Sequence, residues 1–421
     1  MYLTDYEQAL LDGKHGDVKQ KAMAVLFDLG KAYGVDKFID IASCHDDSTV
    51  YFGEAQVAFA EHLAELGARF AVPTSTNACA LDMVNFKEQR MPLSWASATR
   101  RIEASHTAMG AAGSWTCAPY QAGFTPRFGE QVAFAESNVI AWTNSILGAR
   151  TNRYAGPIEL LAGIVGKVPY FGLHMPENRV ATGLLRLDTS IKSSWFAESS
   201  LYNLLGHLHG EIAGDKIFAM DGMPPVAPMD GLKQFSATAA SSGGIALFHL
   251  LGITPEAQSL EQCFAGKAPQ EERVITVDDL RNAEAKLNNF NASDELDLIS
   301  IGCPHFSFAE FVELEQLLAG RKVSTNLNLW VFTGRASYLH IESTGLLTKL
   351  QNLGVQVFRD GCTMEYPIKN WDTKSIMTNS GKFANYCFSK IGIHPVFGSI
   401  HDCVESAVSG KVIRSVKPWS N

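Results

Sequence analysis

The 421-residue chain contains no Cys-x-x-Cys pair, no basic excess and no long apolar run. Each absence narrows its function. Without a Cys-x-x-Cys pair, a metal centre would have to be assembled by the fold rather than by a local ribbon. With 35 Lys and Arg against 44 Asp and Glu, the net charge is −9, which argues against a general affinity for nucleic acid or anionic membrane. No window approaches the roughly 18 uninterrupted apolar residues of a transmembrane helix. The first residues, Met1-Tyr2-Leu3-Thr4-Asp5-Tyr6-Glu7, lack the basic and then apolar regions of a signal peptide. Eight scattered cysteines in a chain of this size do not form a disulfide scaffold. There is no internal repeat and no low-complexity tract. The expectation is a cytoplasmic protein with reduced thiols, with no nucleic acid and no membrane as partner.

The chain does contain a balance of 46% hydrophobic and 19% charged residues, typical of globular domains, over a length that suggests two or three of them. Helical and strand patterns alternate. Residues 18–33 and 53–67 have helical spacing, while 37–42 and 69–72 are strand-like, the latter closed by Pro73. An apolar helix is expected over 129–147 and a strand over 168–173. The Gly-, Pro-, Met- and Ser-rich stretch 213–242 predicts loop, and 261–291 a charged surface excursion. The rhythm resumes with strand 296–301, helix 308–318, strand 329–333, a helix and strand 355–358. This is an α/β pattern with mainly parallel sheets. The expected domains are 1–110, 111–290 with its loop-rich segment, and 291–421.

Three cysteines lie on loops. Gly302-Cys303-Pro304-His305 follows the apolar run 296–301, and Asp360-Gly361-Cys362-Thr363 follows 355–358. Ligands of open α/β sheets bind at such carboxyl ends of strands. Cys117 lies in Ser114-Trp115-Thr116-Cys117-Ala118-Pro119-Tyr120. Four polar clusters accompany them. Ser43 to Val50 suits either an anion at a helix start or, more simply, a capped helix, and Pro73 to Ala78 reads as a polar turn. Arg150 and Arg153, after Asn144 and Ser145, suit a substrate carboxylate or pairing with Glu130 or Glu136. Thr378-Asn379-Ser380-Gly381-Lys382 is a possible anion grip that does not complete a Walker A loop. His207-Leu208-His209 lacks the spacing of a helical zinc site, so a structural role is expected. Cys44, Cys79, Cys263, Cys387 and Cys403 read as small buried hydrophobes, Cys44 being the one that also follows a strand.

Taken in order, Cys117-Ala118-Pro119-Tyr120, Pro126-Arg127-Phe128-Gly129-Glu130, the run Asn144 to Arg153, Ser241 to His249, Ile301-Gly302-Cys303-Pro304-His305, Ser380-Gly381-Lys382 and Phe397-Gly398-Ser399 resemble the large subunit or large domain of the aconitase X family over nearly the whole chain. The resemblance implies an iron–sulfur hydro-lyase on an aconitase-like α/β fold. Cys117, Cys303 and Cys362 match the cluster ligands, with the cluster type ([2Fe-2S], [3Fe-4S] or [4Fe-4S]) left open. Three protein thiolates can leave one iron free to act as a Lewis acid. Ser48, Thr49, Val50, Asn77, Ala78, Asn144, Ser145 and Lys382 match substrate-binding positions, with Lys382 and Ser145 as the catalytic candidates. Where relatives often have neutral Ser-Gly-type residues, this chain has Asp46-Asp47. The resemblance also implies a small swivelling domain carrying a Gly- and Ser-rich catalytic loop. It is expected here as a separate subunit. Of the family's two substrates, the aspartates favour cis-3-hydroxy-L-proline, whose ring nitrogen is cationic, over mevalonate 5-phosphate. A non-catalytic iron–sulfur-binding subunit and a metal-free enzyme with structural cysteines are the alternatives.

Overall fold

The structure, a computed structural model, describes residues 1–87, 91–288, 295–365, 368 and 372–420. It is an α/β protein in which three parallel sheets carry the architecture. In the first, Cys44–Asp46 lies between Thr74–Thr76 and Ala133–Phe134. A short antiparallel pair, Phe38–Asp40 with Lys167–Pro169, stands beside it. The second sheet runs in the order His249–Leu250, Phe218–Asp221, Gly183–Leu187, Glu271–Ile275. The third runs Val355–Arg359, Asn328–Thr333, Leu298–Ile301, Ile376–Thr378, Val396–Phe397. Every residue of Leu298–Ile301 is buried, as its unbroken apolar pattern requires of a strand covered on both faces. Helix Phe308–Leu318 begins where expected because Ser307 and Glu310 form a capping box. It buries Phe311, Leu314 and Leu318, one helical face.

Several expectations on the fold differ from what the structure holds. Residues 69–72 form no strand; the strand is Thr74–Thr76, after Pro73, with all three residues buried. Its polar side chains find partners inside: Ser75 Oγ lies 2.8 Å from His45 Nδ1, and Thr76 Oγ1 accepts from the Trp115 N–H at 3.0 Å. The helix expected over 129–147 is only Ser137–Ser145, because Ala133–Phe134 is taken by the first sheet. That pairing, and the pairing of Phe38–Asp40 with Lys167–Pro169, also crosses the boundary expected at 110. The boundary expected at 290 lies outside the described residues. The excursion expected over 261–291 holds strand Glu271–Ile275 and helix Val277–Leu287, its last three residues also lying outside the described residues.

The segment 213–242 is not loop-rich. It holds strand Phe218–Asp221 and helix Met229–Ser242, buried along most of its length. Its glycine, serine and alanine content is a packing device. The helix lies against Ser200–Ala213 so closely that a Cβ on Gly206 would sit 2.5 Å from the Phe235 carbonyl oxygen, and one on Gly210 2.4 Å from that of Ala239. Small residues read as loop in the sequence because backbone proximity, not side-chain volume, is what they supply. His207 and His209 lie within Ser200–Ala213 and are buried.

Candidate active site

The C-terminal edges of the first and third sheets converge on one cavity of about 400 Å³. Six of the parallel strands deliver a polar residue to it just past their ends: Asp47 after Cys44–Asp46, Asn77 after Thr74–Thr76, Glu136 after Ala133–Phe134, Cys303 after Leu298–Ile301, Cys362 after Val355–Arg359 and Lys382 after Ile376–Thr378. Parallel strands point these ends the same way, which is why residues far apart in sequence meet. Cys117, Val50 and Ala78 also line the cavity, with Arg153, Tyr386 and Lys390.

The three cysteines reach it by specific turns. Gly302 has φ +94°, and a Cβ there would sit 2.1 Å from the Phe332 carbonyl oxygen, so only glycine lets the strand turn Cys303 inward. Asp360, at φ +68°, is held by Arg335, whose Nη2 and Nε lie 2.7 and 3.1 Å from its Oδ2. The Cys362 N–H donates to the Cys79 carbonyl at 3.1 Å, tying this loop to the Asn77-Ala78-Cys79 segment. Asn138 Nδ2 donates to the Cys117 carbonyl at 2.9 Å. His305 touches all of this: its N–H donates to Cys117 Sγ at 3.3 Å, its Nδ1 lies 3.0 Å from Thr116 Oγ1, and its Nε2 lies 2.9 Å from the Gly361 oxygen.

Charge in the cavity is dense and poorly solvated. Lys382 and Glu136 form a buried ion pair. Burial alone would weaken the lysine's hold on its proton, but the Glu136 carboxylate outweighs it and raises the pKa above the ordinary lysine value. Asp47 is pushed up to about 7 by burial and by Glu136, against a hydrogen bond from Asn77. Burial, with Glu136, pushes the Cys117 thiol up to about 12. Burial likewise raises Cys303, opposed by Lys382, and raises Cys362, with Glu365 and the other two thiols adding to it. Behind the first loop, Glu159 accepts from the Asp47 N–H at 3.2 Å and from Ser48 Oγ at 3.4 Å.

Several expected residues meet here and others do not. Val50, Asn77, Ala78, Lys382 and the three cysteines line the cavity. Ser48 and Thr49 stand behind it. The Thr49 hydroxyl bonds the Asn77 and Ala78 carbonyls at 3.1 and 3.3 Å, locking the first loop to the second. Asp46 is turned away, paired at 3.1 Å with His106.

Asn144 and Ser145 are not among the lining residues. Asn144 Nδ2 donates to the Thr151 and Ala246 carbonyls, both at 2.9 Å, and its Oδ1 accepts from the Thr151 N–H at 3.1 Å and Arg179 Nη1 at 3.0 Å. Ser145 Oγ accepts from the Phe248 N–H at 2.9 Å. They lie at the far end of helix Ser137–Ser145, about 10 Å along the axis from its start, and it is the start that faces the cavity. Glu136, which caps that start by accepting from the Val139 N–H, was weighed in the sequence only as a partner for arginine. Its signal was the cap itself, obscured by extending the helix back to 129. Of the two arginines, Arg153 lines the cavity mouth and Arg150 does not.

This geometry accords with what the chain is similar to. The profile of the aconitase X first domain matches residues 1–177, that of the second domain 181–285 and that of the third 296–409. A cis-3-hydroxy-L-proline dehydratase of Pseudomonas aeruginosa is 34% identical over 99% of this chain and 72% of its own length. The chain belongs to the aconitase X family. A phosphomevalonate dehydratase large subunit of Methanocaldococcus jannaschii is 35% identical over 96% of this chain and 100% of its own. The crystal structure of Thermococcus kodakaraensis aconitase X in its holo form superposes with a TM-score of 0.86 at 30% identity, covering 97% of this chain and 100% of that one. The protein is accordingly a dehydratase of this family with an α/β fold. Among the described residues, no helix is long and apolar enough to cross a membrane.

The aconitase-like relationship suggests an iron–sulfur cluster, and the thiols lining the cavity are of the donor type one needs. Among the described residues, no group of three or more His, Cys, Asp or Glu side chains is arranged to hold a metal ion. The three thiols instead ring a cavity, within electrostatic reach of one another. A set of soft sulfur donors around a volume rather than a point suits a polynuclear cluster.

Proposed function

We propose that the chain is the iron–sulfur large subunit of a hydro-lyase that dehydrates cis-3-hydroxy-L-proline to Δ1-pyrroline-2-carboxylate, working with a separate small swivelling-domain subunit. The observation that carries the substrate choice is the buried carboxylate of Asp47 on the cavity wall, beside Glu136 and within reach of Lys382. A zwitterionic imino acid matches that wall, its carboxylate on Lys382 and its ring ammonium on Asp47. A phosphate would meet like charge in a weakly screened site.

Cys117, Cys303 and Cys362 would hold the cluster, whose type the chain's residues leave open. When bound, the cluster supplies a Lewis acid for the departing hydroxyl. The protein's own groups do the rest. Lys382 orients the substrate carboxylate, Asn77 and Ala78 border the ring, and Thr49 keeps their loop in register. Loss of the C2 proton and the C3 hydroxyl leaves an enamine that tautomerises to the product, with one water released. The buried wall keeps bulk water from competing for these polar contacts.

Arg153 and Lys390 at the mouth favour the second reading, mevalonate 5-phosphate, since they are the cations a phosphate would need. Assaying the chain together with its small subunit against both compounds decides the matter. Turnover of cis-3-hydroxy-L-proline is expected, and turnover of mevalonate 5-phosphate alone overturns the choice.

A further inference from the structure

His305 is fully buried, and its ring and backbone together reach all three cysteine loops. Its own loop carries Cys303, two residues earlier. Its N–H donates to Cys117 Sγ at 3.3 Å, and Nδ1 faces Thr116, the neighbour of Cys117, at 3.0 Å. Nε2 faces the carbonyl of Gly361, the neighbour of Cys362, at 2.9 Å. Its carbonyl accepts from Lys233 Nζ at 3.2 Å, and Lys233 is itself buried and paired with Asp230 and Glu310.

The partners dictate the tautomer. A carbonyl oxygen only accepts, so Nε2 must carry the proton and donate to Gly361. Nδ1 is then an acceptor and takes the Thr116 hydroxyl proton. The Thr116 oxygen remains free to accept from the Ala118 N–H, which it does at 3.0 Å. The ring is therefore a rigid neutral spacer with one donor and one acceptor on opposite sides. Gly334 leaves room for it: a Cβ there would sit 2.8 Å from Thr116 Oγ1 and 3.5 Å from His305 Nδ1.

We propose that His305 is a positioning residue that clamps the Cys117 and Cys362 loops to the Cys303 loop, so that the three thiols are set at cluster spacing before iron arrives. This rests on the reading of those cysteines as cluster ligands. Side chains that orient metal ligands in this way change metal retention by about 10- to 100-fold when removed. His305→Phe keeps the ring's volume and loses both hydrogen bonds. His305→Gln keeps one donor and one acceptor. Thr116→Val removes only the hydroxyl that Nδ1 accepts from.

The test measures iron and sulfide per chain, and the rate at which a chelator bleaches the visible absorbance, on the full-length chain purified anaerobically. Far-ultraviolet circular dichroism serves as the check on folding. The expected result is bleaching about 10- to 100-fold faster in His305→Phe, a smaller acceleration in Thr116→Val, and partial recovery in His305→Gln. A folded His305→Phe that bleaches at the wild-type rate overturns the proposal. Should that variant fail to fold, Thr116→Val decides alone, and an unchanged rate overturns it equally. Wild-type chain without iron and sulfide removes the cofactor reading itself, a result distinct from a loaded wild type beside an unaltered variant.

Discussion

The Lys382–Glu136 pair allows function and stability to be separated by one double-mutant cycle. Both side chains are buried, at 5% and 9% exposure. Removing the lysine alone, as Lys382→Met, strands a carboxylate among Asp47, three thiols and little water. Breaking such a pair from one side costs about 3–5 kcal/mol, most of it the desolvated charge left behind rather than the lost attraction. Glu136→Gln alone strands the ammonium for a similar cost, though the amide oxygen can still cap the helix by accepting from Val139. The double variant buries no net charge and is expected to lie within about 1–2 kcal/mol of wild type, a coupling energy of at least about 4 kcal/mol. Activity should behave differently: Lys382→Met and the double variant are both inactive, because the buried cation that orients the substrate carboxylate is gone while Arg153 and Lys390 stay at the mouth. Urea unfolding of the four proteins, with initial rates at saturating substrate, makes the measurement. Single effects that simply add, to within about 0.5 kcal/mol, would show that the two groups do not share a desolvated site, and the account of the cavity would fail with them.

Three further outcomes follow from the geometry. Cys117→Ser, Cys303→Ser and Cys362→Ser should each lose most of the visible absorbance of the purified chain, while Cys387→Ser and Cys403→Ser, buried outside the cavity, should keep it; retention in all five would remove the cluster from these positions. Asn144→Ala should destabilise the protein by about 2–4 kcal/mol, several buried hydrogen bonds being broken at once, with KM of the folded fraction unchanged. Asn77→Ala should raise KM at modest cost in stability, and the reverse pattern would restore Asn144 to the substrate. The pH dependence of stability has a definite sign. Burial raises Glu159 above its usual value and pushes Asp47 to about 7. The folded chain therefore holds protons that the unfolded chain, with carboxyl pKa values near about 4, has released. Stability falls as pH rises from about 4 through 7. Glu159→Gln should flatten that fall, read as urea midpoints between pH 5 and 8, and a steeper fall in the variant would refute it.

How much was legible in the sequence varied with the kind of signal. Strand Leu298–Ile301 and helix Phe308–Leu318 were readable because a buried parallel strand is apolar throughout and a capped helix announces its start. Strand Thr74–Thr76 was not, since the Ser75 and Thr76 side chains are satisfied by residues 30 to 40 positions away. Helix Met229–Ser242 was hidden because its small residues serve a neighbouring backbone that no local window contains. Glu136 was missed for a related reason: a strand ended the segment that looked like one long helix.

By itself the amino-acid sequence determined the α/β alternation, the family, and that Cys303 and Cys362 stand past strand ends, because these depend on periodicity and on short local phrases. Only the tertiary structure decided that Glu136 partners Lys382, that Asp47 faces the cavity while Asp46 turns to His106, and that Asn144 and Ser145 sit at the end of their helix away from the cavity. Those are questions of direction, and direction is set by which strands pair and which loops pack. Hydrogen bonds between residues as distant as Thr116 and His305 settle it, and nothing in the neighbourhood of either residue encodes the other.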